Sequence, residues 1–277
     1  MNNNSNYGII NHDYARRLAT TPETDDGPIW MVNLMRYRER AQYSDGNDHG
    51  RSGREADDEY APVDILHDIG AEITFVADVE TQALGNGPAW DRLAVVRYPS
   101  RRSFIDMQLR KDFSERHEHK AAGMAATIVM GCLPFEPPPM PDSLVPVDWM
   151  AAPHPSTPDD GPLMVVHVLS FRDKDGARHT PDNMSAYQQI AASSAAAEGI
   201  RIAGWYTVEG TIVGDSRVWH QVRFNEFPSR AAFMAVVKDP ERLKAQAHHR
   251  QPAISDTYTL MTRATLDTRP LGGARLR

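Results

Sequence analysis

Two continuous apolar runs, Ile29 to Met35 and Leu163 to Leu169, have the length of strands and read as strands covered on both faces. The same succession of signals follows each: a helix, two strands around a glycine-containing turn, a second helix and a last apolar strand. In the later stretch Thr180 is placed to cap a helix with Pro181 in its first position, Met184, Tyr187 and Ile190 at helical spacing, and Gly199 as its stop. In the earlier stretch Pro62 puts a helix start close by. Turns at Gly85 to Gly87 and at Gly214 to Ser216 mark hairpins. Pro99 and Pro228 end the third strands. Ser100 and Ser229 then cap helices whose Phe104 and Phe233 point inward, and Asp239 before Pro240 caps a further one. A short helix is expected around Tyr14 to Leu18.

The repetition extends to residue identity. Residues 70–104 lie over 199–233 without a gap and share ten identities, among them Gly70 with Gly199, Glu80 with Glu209, Trp90 with Trp219 and Pro99-Ser100-Arg101 with Pro228-Ser229-Arg230. Chance supplies about two. Gly27 and Pro28 match Gly161 and Pro162, Tyr60 matches Tyr187, and His119-Lys120 matches His249-Arg250. We read a duplicated unit: a lead-in over 1–26, a first unit over 27–133, a second over 161–265 and a tail over 266–277. Between the units, residues 134–160 hold nine prolines and read as a stiff, extended linker, with Trp149 and Met150 placed to pin it. Strand, helix, strand, strand, helix, strand is the order of a ferredoxin-like α+β unit. One copy leaves a sheet face bare. Two tandem copies closing on each other form an intramolecular dimeric α+β barrel, either as a monomer with pseudo-two-fold symmetry or as a homodimer of such units.

Composition narrows the function. Of 277 residues 41% are hydrophobic and 24% charged, enough apolar chain for two cores. A net charge of −7 with scattered Lys and Arg argues against nucleic acid as a partner. Cys132 is alone, so no internal disulfide forms, and its apolar neighbours make it a core residue. The polar start at Met1 to Asn6 and the lack of any apolar run of ~18 residues argue against a leader and a membrane span. The expected location is cytoplasmic.

The pieces MVNLMRYRERA at 31–41, WDRLAVVRYPSRRSF at 90–104 and HKAAG at 119–123 resemble the DUF1330-like group of dimeric α+β barrel proteins. The resemblance covers nearly all of the first copy. In the second, VWHQVRFNEFPSRAAF at 218–233 keeps the pattern, while His167 and Ser170 replace Asn33 and Arg36. The resemblance implies the fold. Its superfamily spans cofactor-free monooxygenases, isomerases, lyases and haem proteins, so it does not choose the chemistry.

Strand alternation sorts the faces. Trp30, Val32, Leu34, Met164, Val166 and Val168 form an apolar set expected to meet the helices, together with Leu93, Val95, Val222 and Phe224. Asn33, His167, Trp90, Arg92, Trp219, Gln221, Arg223 and Asn225 are then expected inside the barrel, joined by Asp78, Glu80, Trp205, Thr207 and Glu209 from the second strands. The second copy carries the richer set. His167 as base, Glu209 to orient it and Arg223 as anion partner make a catalytic group. Asn33, Arg36, Trp90, Arg92, Trp205, Trp219, Gln221 and Asn225 complete a substrate site with flat walls. The bland alternative is a satisfied polar network that docks the copies. Whether the working cavity lies inside the barrel or between sheet and helices stays open.

His119 and His249 are shared by both copies and read either as helix C-terminal partners or as alternative catalytic or haem-ligand residues. His117, Glu118 and His119 do not share a helix face, and no zinc, nucleotide or dinucleotide motif is present, so no metal is expected. Arg36, Tyr37 and Arg38 either pair with acids such as Asp57 and Asp58 or bind a substrate carboxylate. The function expected is a cofactor-independent enzyme acting by proton transfer on a small carbonyl-bearing or aromatic substrate, of isomerase, lyase or monooxygenase type. The alternatives are a haem-binding barrel and a non-catalytic small-molecule binder.

Overall fold

The computed structural model describes residues 4–46, 49–137, 147–173 and 179–269. A short ribbon, β1 (Asn4–Ser5) and β2 (Gly8–Ile10), and helix α1 (His12–Thr20) lead into strand β3 (Ile29–Tyr37). Helices α2 (Gly53–Tyr60) and α3 (Val63–Asp68), strands β4 (Glu72–Leu84) and β5 (Arg92–Tyr98), helices α4 (Arg101–Leu109) and α5 (Lys111–Gly123) and strand β6 (Met124–Pro134) complete the first half. The second half runs β7 (Leu163–Phe171), α6 (Asp182–Ala197), β8 (Arg201–Gly214), β9 (Gln221–Phe227), α7 (Arg230–Lys238), α8 (Pro240–Ala245), a π-helical turn (Gln246–Arg250), α9 (Gln251–Ala253) and β10 (Ile254–Asp267). No helix among the described residues is long and apolar enough to cross a membrane.

The first half orders its strands β6-β3-β5-β4 and the second β10-β7-β9-β8, all antiparallel. Pairing of β4 with β10 and of β6 with β8 joins the halves twice and closes an eight-stranded barrel. Closure removes the edges that each four-stranded sheet leaves open.

The expected assignment of faces is inverted by the structure. Val32, Leu34, Leu93, Val95, Val166, Val168, Val222 and Phe224 belong to one buried apolar cluster drawn from the strands of both halves, with Phe75, Met130, Tyr206 and Leu260. That cluster is the barrel interior. The helices meet the opposite face, where Ile29, Met31 and Val129 pack on Phe104 and Phe113, and Leu163, Val165 and Met261 pack on Phe233 and Val236. The reason is physical: eight strands enclose a lumen that apolar side chains fill, where an unpaired ionised group is costly, and the guanidinium groups that do reach its rings, Arg269 on Phe75 and Phe224 and Arg217 on Trp219 and Tyr258, are paired with Asp267 and with Asp215 and Asp256. Asn33, His167, Arg92, Gln221, Arg223, Asn225, Trp205 and Glu209 therefore lie outside the barrel. Of the expected interior set Trp90 and Trp219 do sit in the lumen cluster, against Tyr258, with ring centroids 5.7 and 5.3 Å away. Both precede their strands, so the alternation of β5 and β9 does not apply to them.

Local signals place the helices. The hydroxyls of Ser100 and Ser229 each accept from the backbone N–H three residues on, at 3.0 Å, and Asp239 accepts from Arg242 N–H at 2.7 Å. One expected cap differs. Pro181 is extended and stands at the N-cap of α6, and the Thr180 hydroxyl instead accepts from the Gln221 amide at 3.2 Å. Around Pro62 the chain forms helices on both sides, because the missing N–H breaks the run rather than only starting it. Trp149 holds the linker by donating to Gly199 O at 2.7 Å under the Arg201 guanidinium, whereas Met150 is 83% exposed and pins nothing. Residues 138–146 of the linker and 270–277 of the tail lie outside the described residues.

Candidate functional site on the helix side of the second half

A cavity of about 650 Å³ lies between the outer face of β7, β8 and β9 and the cover formed by α6, α7, α8 and the π turn. Its walls are mostly aliphatic and aromatic, and among the residues that line it there is no Asp or Glu but three arginines, Arg223, Arg242 and Arg250. His167 lines the same wall.

His167 is the fifth residue of β7, facing Arg223 of β9 across one strand pair and Thr259 of β10 across the other. Its Nδ1 shares a hydrogen bond of 3.1 Å with the Thr259 hydroxyl, and Nε2 makes none among the described residues. Burial and then the charges of Arg250, Arg223 and Arg242 hold its pKa well below the ordinary imidazole value, so the ring is neutral at pH 7. Arg223 is 3% exposed, and its guanidinium donates from Nε to Gln221 Oε1 at 3.0 Å and stacks 4.1 Å from the Trp205 ring centroid. Burial, aided by the Arg250 charge, brings its pKa down to about 9. Arg250 is 6% exposed, donates to the Thr257 hydroxyl at 3.4 Å and is likewise depressed by burial. Arg242 donates to the Tyr187 hydroxyl at 3.0 Å and to Val237 O at 3.2 Å. Among the described residues none of the three forms an ion pair with a carboxylate.

Two further polar groups are buried without partners on this wall. Both amide atoms of Gln188 and the indole nitrogen of Trp205 lack a hydrogen bond among the described residues. An orphaned buried donor or acceptor costs about 1–3 kcal/mol unless water or a ligand meets it, and these three atoms border a cavity that can hold either.

The π turn belongs to this site. Helix α5 runs for 13 residues from Lys111 to Gly123, while the matching stretch from Pro240 to Ala253 has one more, and the wider turn at Gln246–Arg250 takes up the extra residue. Arg250 is its last residue.

Of the residues expected in the catalytic group, His167 and Arg223 come together and Trp205 and Asn225 join them in the cavity wall, with Gln221 orienting Arg223. Glu209 does not. It lies on the same face of β8 as Trp205 but four residues further on, where β8 pairs with β6, and there Tyr14 donates to it at 3.1 Å and Arg101 clamps both carboxylate oxygens. Alternation reveals the face of a long strand but not which helix layer covers each part of it. Glu80, the matching residue of the first half, is held the same way by Arg230 at 2.7 Å and Arg263 at 3.1 Å.

The first-half residues expected at the substrate site are held by partners. Arg92 is bound to Asp58 at 2.7 Å, Arg36 to Asp91 at 2.8 Å, and the Asn33 amide donates to Met31 O at 2.9 Å. Trp90 and Trp219 are lumen packing. His119 meets the Tyr43 hydroxyl at 2.9 Å, and His249 approaches Asn183 at 3.5 Å without lining the cavity, so the placements of these two lend no support to an axial-ligand role. Sequence reasoning missed Arg242, Arg250, Tyr187 and Gln188. The matched pair Lys120 and Arg250 was the available signal for one of them. Gln188 had none.

No family model matches the chain and no curated protein matches it, so the DUF1330-like resemblance stands without a family match. Solved structures resemble it over about half or most of its length. A protein of unknown function from Rhodopseudomonas palustris is 24% identical over 47% of this chain and 98% of its own, with a TM-score of 0.41. An anthrone oxidase-like protein is 13% identical over 91% and 98%, with a TM-score of 0.48. A chlorite dismutase variant from Candidatus Nitrospira defluvii is 11% identical over 89% and 94%, with a TM-score of 0.46. At these identities and scores the likenesses carry no weight for the chemistry, which rests on this chain's own side chains.

Proposed function

We propose that the chain is a small-molecule enzyme made of two tandem ferredoxin-like units, over 27–133 and 161–265, whose second unit does the chemistry by proton transfer without a tightly held organic cofactor. The observation that carries this reading is a neutral imidazole sharing one cavity wall with three guanidinium groups, none of them paired with a carboxylate among the described residues. A neutral ring is the basic form, and Thr259 on Nδ1 leaves Nε2 to take a proton. Loss of that proton from a carbon next to a carbonyl, or from a phenol or enol, leaves an oxyanion. Arg223 and Arg250 stabilise it in a cavity where little water screens them. The same charges that depress His167 are offset once a negative ligand enters, so the base strengthens when its substrate is present. Trp205 and the apolar wall hold a flat body against the sheet. Isomerase, lyase and monooxygenase outcomes share this first step.

The test is turnover by His167→Gln and His167→Ala proteins across carbonyl and phenolic substrates, with folding checked by circular dichroism. Loss of about a hundredfold or more is expected. Unchanged turnover in both folded variants removes the assignment, and ligand-induced thermal stabilisation with no product from the wild type makes the protein a binder instead.

A further inference from the structure

Resting on the location just proposed, we infer that the cavity takes a small organic anion, with a carboxylate-class group between Arg223 and Arg250 and a hydroxyl or carbonyl substituent at Gln188 and Trp205. Three observations converge. The cavity holds buried cations and no acid, so a ligand that brings one negative charge converts an electrostatic cost into charge-assisted hydrogen bonds, whereas a cation or a metal ion adds to the repulsion. Arg223 spends Nε and one terminal nitrogen on Gln221, and Arg250 spends one terminal nitrogen on Thr257, which leaves each a terminal nitrogen to offer. Gln188 is orphaned at both its donor and its acceptor atom and Trp205 at its donor. A hydroxyl both donates and accepts, and a carbonyl accepts from either N–H.

The body of the ligand follows from the walls. A volume of about 650 Å³ lined by Leu169, Ile202, Phe227 and Phe233 suits one or two fused rings rather than an ion alone. Inorganic phosphate offers charge but nothing for these surfaces.

Calorimetric titration of the full chain at neutral pH with benzoate, its neutral isostere benzamide, 3- and 4-hydroxybenzoate and inorganic phosphate decides the matter. Benzoate is expected to bind about tenfold or more tighter than benzamide and than phosphate, and one hydroxy isomer tighter still. Arg250→Gln should lose about tenfold in benzoate affinity while benzamide stays within about twofold, and Gln188→Leu should abolish only the hydroxyl preference. If Arg250→Gln does not fold, the wild-type ranking of benzoate over benzamide still decides. Equal binding of benzoate and benzamide, phosphate binding as tight as benzoate, or no benzoate binding at millimolar concentration overturns the inference. Benzoate binding without turnover of any substrate leaves it standing and removes the catalytic reading. Turnover of neutral substrates with no preference for anions does the reverse.

Discussion

The helix-covered faces of the two halves share a backbone plan but differ in how charge is balanced. Asn33 and His167 are each the fifth residue of their strand, and Ala94 and Arg223 each the third. In the first half Arg92 is matched by Asp57, Asp58 and Asp78, Arg54 by Asp78, and the Tyr37 hydroxyl donates to Asp57 at 2.7 Å. Ala94 packs against the cluster of Tyr7, Met35, Tyr37 and Met124. In the second half a cavity opens whose wall, among the described residues, carries no Asp or Glu. A buried cation cluster without counter-charge opposes folding, so its presence on one face points to a task performed there rather than to stability.

The largest expected effect comes from exchanging the two strand centres. His167→Ala should cut turnover by about a hundredfold to ten-thousandfold, while Asn33→Ala leaves it within about twofold. Equal losses in steady-state assays would mean that both faces work. Next, Ala94→Arg places an unpaired guanidinium in the packed face and should lower stability by about 3–5 kcal/mol in urea titration. The mirror change, Arg223→Met, should raise stability by about 1 kcal/mol while removing activity. A fall in stability on that change would show that Arg223 is already balanced.

pH separates the halves as well. His167 in the second half and His117 in the first both have depressed folded values, His117 down to about 4 through burial and then the Lys120 charge. For a base with a lowered folded pKa the unfolded chain binds more protons between that value and about 6.5, so stability is full above about 6.5 and falls as pH drops toward 4. His117 alone contributes up to about 3 kcal/mol of this, and His117→Gln should flatten the profile by that share. Asp57 and Glu226, whose carboxyls burial raises, act in the opposite sense at the acid end. Saturating benzoate should raise the His167 pKa, followed by ring-proton NMR, and leave His117 unmoved. The smallest effect is expected at the paired clamps: Glu209→Gln and Glu80→Gln should each cost about 1 kcal/mol and neither should change kcat. A loss of kcat specific to Glu209→Gln would restore that carboxylate to the catalytic group.

Much of the architecture was legible because it depends on local rules. Ser100, Ser229 and Asp239 cap where serine and aspartate should, Gly70 and Gly199 follow their helices with φ of +70° and +74°, and Trp90 and Trp219 both precede their strands. His167, Arg223, Trp205 and Asn225 were found together because they interrupt apolar strands on one face. Alternation established that these residues share a side with one another. It carried no information on which side is the lumen, since β3 and β7 are apolar on both.

What the sequence determined by itself is the succession of elements and the set of residues that share a strand face, because both follow from steric preference and a period of two along the chain. Only the tertiary structure decided that the apolar faces close on each other and the polar ones look toward helices. That choice is a property of eight strands meeting, where an apolar lumen disfavours unpaired ionised groups. It also moved Glu209 to Arg101 and brought Arg242 and Arg250 to His167, partnerships between segments far apart in the chain that no local rule encodes.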